Sequence, residues 1–114
     1  MNALEIFNTV KTHLLQQNSQ SLLENPNRKV CAYRGTEGRM CAVGCLIKDE
    51  YYDSGLERKR VRHPDVRKAL GSSGISIDDI MTRDLLFDLQ AVHDTIPVSH
   101  WEVALNDVKE RYFK

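Results

Sequence analysis

The chain has no net charge, no long apolar run and no even set of cysteines, and each absence removes a class of protein. Sixteen Lys and Arg balance sixteen Asp and Glu over 114 residues. No global field therefore draws the protein onto nucleic acid or an anionic membrane, and any such binding has to be local. No stretch approaches the roughly 18 to 20 apolar residues of a spanning helix. The opening MNALEIFNTVK lacks a cationic segment leading into an apolar run of signal-peptide length. A cytoplasmic protein without membrane association is the expectation. Three cysteines and no export signal argue for reduced thiols rather than a disulfide framework. Internal repeats and low-complexity tracts are also missing.

What is present is an ordinary globular composition, 41% apolar and 28% charged, in a chain long enough to bury a core without metal or disulfide staples. Residues 1–114 are read as one domain. Asn2 and Glu5 have the spacing of a capping box, and Leu4, Phe7, Val10 and Leu14, widened by Ile6 and Leu15, follow at helical period. A first helix is predicted over 3–17, stopped by Asn18 in a left-handed turn. Residues 19–29 read as loop around an Asn-Pro-Asn turn. Two short apolar runs then flank Gly35-Thr36-Glu37-Gly38, which predicts an antiparallel hairpin pairing 30–34 with 39–44. Pro64 and Gly71 bracket a short helix. Thr82 caps another that carries Leu85, Leu86, Leu89 and Val92 and ends near Asp94. A last helix has a Ser99/Glu102 capping box and buries Trp101, Leu105, Val108 and Tyr112. The expected fold class is α+β, a small single domain with about four helices packed on a two-stranded antiparallel β-hairpin.

The run RMCAVGCLIKDE, residues 39–50, holds two of the three thiols. Cys31, Cys41 and Cys45 with one histidine would make a tetrahedral zinc set, but the short Cys-x2-Cys knuckle of such sites is missing. In the predicted hairpin register Cys31 stands opposite Ala42, and Cys41 opposite Ala32. Side chains alternate along a strand, so Cys31 and Cys41 point to opposite faces unless a bulge intervenes. No metal and no cofactor are assigned. A nucleophile needs a depressed pKa and an oriented base. Cys41 with His93 as base, and Gln90 on the same helix face as an oxyanion donor, is the set that a cysteine-dependent hydrolase or transferase would use. His93 and Asp94 are neighbours in sequence, but successive helical residues point about 100° apart, so adjacency does not orient one on the other. Burial explains the run better: free cysteine behaves as a small hydrophobe, and Ala42, Val43, Gly44, Leu46 and Ile47 surround these thiols in sequence. Catalysis is the minority reading.

Arg58, Lys59, Arg60, Arg62, Arg67 and Lys68 form a basic cluster against only Glu57 and Asp65, while the segment 76–94 sets five aspartates against Arg83. The cluster reads as a solvated face, or as a partner for the acidic segment, ahead of weak nucleic-acid binding, because no nucleic-acid motif accompanies it. Tyr51 and Tyr52 read as half-buried lids or an interaction edge. Asp78, Asp79 and Asp84 lack the spacing of a calcium loop and suit helix starts.

The segments Cys31-Ala-Tyr-Arg-Gly35, Gly38-Arg-Met-Cys-Ala-Val-Gly44 with Leu46-Ile47, Asp49-Glu50, Leu89-Gln90 and His93-Asp94 together resemble a family of small uncharacterised phage and prophage proteins, over nearly the whole chain. The resemblance implies a phage-type product working inside the host cell and carries no catalytic or ligand residues with it. The expected activity is binding of a macromolecular partner, a host protein or a second copy of the chain. Tyr51, Tyr52, Arg58, Lys59, Arg60 and Arg62 are the binding residues to examine, and nucleic acid is the less favoured partner.

Overall fold

In a computed structural model describing residues 1–25 and 28–113, helix α1 spans Ala3–Gln17 and starts as its sequence dictates. The Asn2 side chain accepts from the Glu5 N–H at 2.8 Å, and Glu5 accepts from the Asn2 N–H at 3.1 Å. Asn18 ends the helix at φ 52, the left-handed cap that lets its N–H reach the Leu14 carbonyl. Ile6, Phe7, Val10 and Leu14 are buried. Leu4, expected on the same face, is 46% exposed.

Helices α2 (Pro64–Ser72), α3 (Ile80–Thr95) and α4 (Trp101–Tyr112) follow. Pro64 opens α2, and His63 caps it by accepting from the Asp65 N–H. Asp79, not Thr82, caps α3: its carboxylate accepts from both the Thr82 N–H and the Thr82 hydroxyl. The Ser99/Glu102 capping box does not form. A tight turn over Val98–His100 leads directly into α4, and Ser99 Oγ pairs with His100 Nδ1 instead. The helices pack on each other, α3 against α4 and α1 across both. Phe7, Leu14, Leu85, Leu86, Trp101 and Leu105 fill the shared core and are fully covered.

The expectation of an α+β domain built on a hairpin over 30–44 is overturned. The protein is mainly helical, and of that hairpin only a single bridge, Arg34 with Met40, is present. The physical reason lies in residues 41–46. The Cys45 N–H bonds back to the Cys41 carbonyl and the Leu46 N–H to that of Val43, so these amides are spent on a helical turn rather than on a ladder. Val30 and Cys31 pair backwards instead. Strands β1 (Leu22–Asn25) and β2 (Arg28–Cys31) form one short antiparallel pair with Leu22 opposite Cys31. It is no platform for the helices. The segment expected to be loop thus holds the strand pairing, and the proline and second asparagine of the Asn-Pro-Asn turn lie outside the described residues.

Between β2 and α2 the chain is a series of tight turns with few regular hydrogen bonds, held by side chains. Glu57 is the central anchor: one carboxylate oxygen accepts from the Tyr33 N–H at 2.9 Å, the other from the Arg34 N–H at 3.0 Å and the Tyr52 hydroxyl at 2.6 Å. Tyr33 donates its hydroxyl to the Lys59 carbonyl. Arg34 pairs with Asp49, donates to the Ile47 carbonyl and lies over the Tyr52 ring. Gly44 lets the chain approach itself, because a Cβ there would stand 2.0 Å from the Tyr33 carbonyl oxygen.

Candidate functional site

The last two turns of α3 project Gln90, His93 and Asp94 toward the segments that follow α1 and β2, and one carboxylate oxygen organises them. Asp94 Oδ1 accepts from His93 Nδ1 at 2.7 Å and from Gln90 Nε2 at 2.8 Å. The Cys31 thiol stands within 4.8 Å of the same carboxylate. Burial pushes the Asp94 carboxyl up, but the hydrogen bonds from His93 and Gln90, with the Cys31 thiol close by, outweigh it and hold the group below the usual carboxylate range. Asp94 is therefore ionised at neutral pH. Gln90 is committed at its other end too, since its Oε1 accepts from the Val43 N–H at 3.0 Å.

His93 is completely buried, against the Trp101 ring. Its Nε2 lies 2.9 Å from the Ser21 N–H and can only accept from it, which puts the ring hydrogen on Nδ1, facing Asp94. Both ring nitrogens are thus in use. A general base needs a free lone pair, and His93 offers none without breaking the Ser21 bond. Cys31, His93 and Asp94 are also the one set of metal-ligand residue types that converges among the described residues, their ligand atoms within 4.8 Å of one another. A cation on Nδ1 would shift the ring hydrogen to Nε2, where it would meet the Ser21 N–H head on. The donor set does not suit a metal in this arrangement.

All three thiols are unpaired and none is activated. Cys41 is 1% exposed, accepts from the Gly44 N–H, and is pushed up to about 12 by burial. Cys45 donates to the Ala42 carbonyl and is likewise raised by burial to about 12. Cys31 is raised to about 11, by burial first and then by the negative charge of Asp94. The carboxylate that orients His93 thus opposes thiolate formation next to it.

With the hairpin absent, the opposite-face argument separating Cys31 from Cys41 lapses, and both line one groove of about 710 Å³. One wall is the Phe87, Gln90, Ala91, Asp94 face of α3; the other is the segment 57–62. This brings together Cys41, Gln90, Arg58, Lys59, Arg60 and Arg62, which the sequence singled out for unrelated reasons, whereas His93 lies behind the wall. Tyr51 is exposed and Tyr52 half-buried, and neither lines the groove. Arg58, Arg60 and Arg62 are exposed at alternate positions, with Lys59 and Val61 half-buried between them. Lys59 pairs with Asp65 at 2.7 Å, and Arg67 pairs with Asp78. Among the described residues no carboxylate pairs with Arg58, Arg60 or Arg62, so the acidic segment of α3 does not neutralise them. Phe87, at 73% exposure, is the most exposed large apolar side chain described and stands on the same rim. Sequence reasoning passed over Phe87 and Glu57. Phe87 follows Leu86, which is buried, and only its departure from the Leu85, Leu86, Leu89, Val92 stripe marks it as outward-facing.

Compared with protein-family models, curated proteins and solved structures, the chain matches none. Among the described residues no helix is long and apolar enough to cross a membrane.

Proposed function

We propose that the protein works by binding a protein partner along the groove between α3 and the segment 57–62. The observation that supports this is the pairing of an exposed Phe87 with three exposed arginines that lack ionic partners among the described residues, around thiols that are not activated. Surfaces of this kind, an aromatic beside arginines, are enriched at protein interfaces. The resemblance to small phage and prophage proteins would make a host protein the partner, met inside the host cell. A cysteine-dependent hydrolase or transferase fits less well: Cys41 is covered, and His93 and Gln90 are bonded at both ends.

The test is a photo-crosslinking residue placed at position 87, with position 103 on α4, also exposed, as the comparison. Discrete, saturable protein adducts at 87 and none at 103 are expected in host cells. No adducts at 87, or the same adducts at both positions, would refute the reading.

A further inference from the structure

We infer that the groove takes an acidic peptide segment bearing an apolar side chain, an inference that rests on the protein-binding reading above. Its walls are chemically unlike. Arg58, Arg60 and Arg62 face solvent at alternate positions on one side, while Phe87 and Ala91 stand one helical turn apart on the other. The two carboxylates in the groove do not cancel the arginines. Glu57 and Asp94 keep their negative charges, but Arg58, Arg60 and Arg62 outnumber them in the lining. The net charge of the lining is thus positive beside an apolar wall. A peptide with carboxylates flanking one aliphatic or aromatic residue matches both walls, with bidentate carboxylate contacts to the guanidinium forks.

Nucleic acid matches less well. Among the described groove residues the one exposed aromatic on which a base could stack is Phe87. Tyr33 is covered with its hydroxyl bonded to Lys59, and Tyr51 is elsewhere. The Arg58 backbone supplies an independent observation. It lies at φ 66, a left-handed conformation that glycine adopts freely and arginine does not. The chain keeps an arginine where a glycine would relax the fold, and side chains held in such conformations cluster at binding sites.

The experiment is fluorescence anisotropy of the full chain with a fluorescein-labelled acidic peptide of Asp and Glu around a central Leu-Phe pair. The comparison probes are the same peptide with Ala-Ala at its centre and oligo-dT of equal length. Binding of the Leu-Phe peptide is expected to weaken about tenfold between about 25 and 200 mM salt. Phe87→Ala, and Arg60→Glu with Arg62→Glu, should each weaken it about tenfold or more. Arg58→Gly should weaken it with a thermal midpoint unchanged or raised, which separates lost contact from lost fold. Equal binding of oligo-dT, indifference to the Leu-Phe centre, or no binding at low salt would each overturn the inference. Crosslinks at position 87 that persist after Arg60→Glu and Arg62→Glu would overturn the acidic chemistry alone and leave a protein partner standing. Absence of both crosslinks at 87 and peptide binding in the unsubstituted protein removes both readings.

Discussion

Alkylation of the native protein by iodoacetamide at about pH 8, mapped residue by residue by mass spectrometry, tests the assignment of the thiols to structure rather than catalysis. An ordinary thiol titrating near 9.0 is about one-tenth thiolate there, while Cys31 at about 11 is about one-thousandth and Cys41 and Cys45 at about 12 about one ten-thousandth. A more basic thiolate is also a better nucleophile, with a Brønsted slope of about 0.4 to 0.5, which returns roughly tenfold to Cys31 and roughly twentyfold to the other two. The net expectation, before access is considered, is reaction about tenfold slower than a free thiol at Cys31 and about fiftyfold slower at Cys41 and Cys45. Access then separates the last two. Cys41 is 1% exposed and reacts only through opening of the fold, while Cys45 is half-buried. The expected order is Cys31, then Cys45, then Cys41, with each rate climbing steadily from pH 7 to 10 and all three converging in denaturant. The reasoning fails if Cys41 in the folded protein reacts as fast as free cysteine, or if its rate levels off below pH 8. The first result would require an accessible thiol of ordinary acidity, the second a stabilised thiolate, and the second would restore the catalytic reading.

Gly44→Ala should cost about 3 kcal/mol or more, because the new Cβ would lie 2.0 Å from the Tyr33 carbonyl oxygen, and backbone does not yield cheaply. Gly38→Ala, at φ 72 with open space around it, should cost only about 1 kcal/mol, and urea midpoints of the two variants compare them directly. His93→Ala leaves the Ser21 N–H buried without an acceptor and opens a void beside Trp101, so a loss of about 3 to 5 kcal/mol is expected in the same assay. Asp94 has a depressed carboxyl, so its stabilising contribution is present above its unfolded value near 3.8 and is lost as pH falls through its lower folded value. Wild-type stability should therefore fall below about pH 4, and Asp94→Asn should be less stable at pH 7 with a shallower acid fall. An unchanged acid profile in that variant would place the sensitive group elsewhere.

What could be read from the sequence follows the range of the interactions. Helix α1 is set by contacts three and four residues apart, so Asn2, Glu5 and Asn18 announce both of its ends. Of the aspartates expected at helix starts, Asp79 caps α3 for the same local reason, while Asp84 lies past the first turn of that helix. The hairpin misled because its evidence is also local but equivocal. Apolar runs flanking Gly35 and Gly38 suit a tight strand turn and equally suit a crossing in which Gly44 presses on Tyr33. Only the competition between a ladder and the helical turn over 41–46 decides, and that turn is stabilised by burying Ala42, Val43 and Leu46 in a core made by helices far away in sequence.

The site is harder to read still. The Ser21–His93 and Val43–Gln90 bonds and the grip of Glu57 on Tyr33 and Arg34 join residues tens of positions apart. A motif reader therefore takes Gln90 and His93 for chemistry when their long-range bonds, to Val43 and Ser21, tie one segment of the chain to another. Polar residues bonded at both ends are poor catalysts and good rivets. By the same criterion the groove residues whose charge or apolar surface is left unpartnered among the described residues are Arg58, Arg60, Arg62 and Phe87, and the proposed binding rests on them.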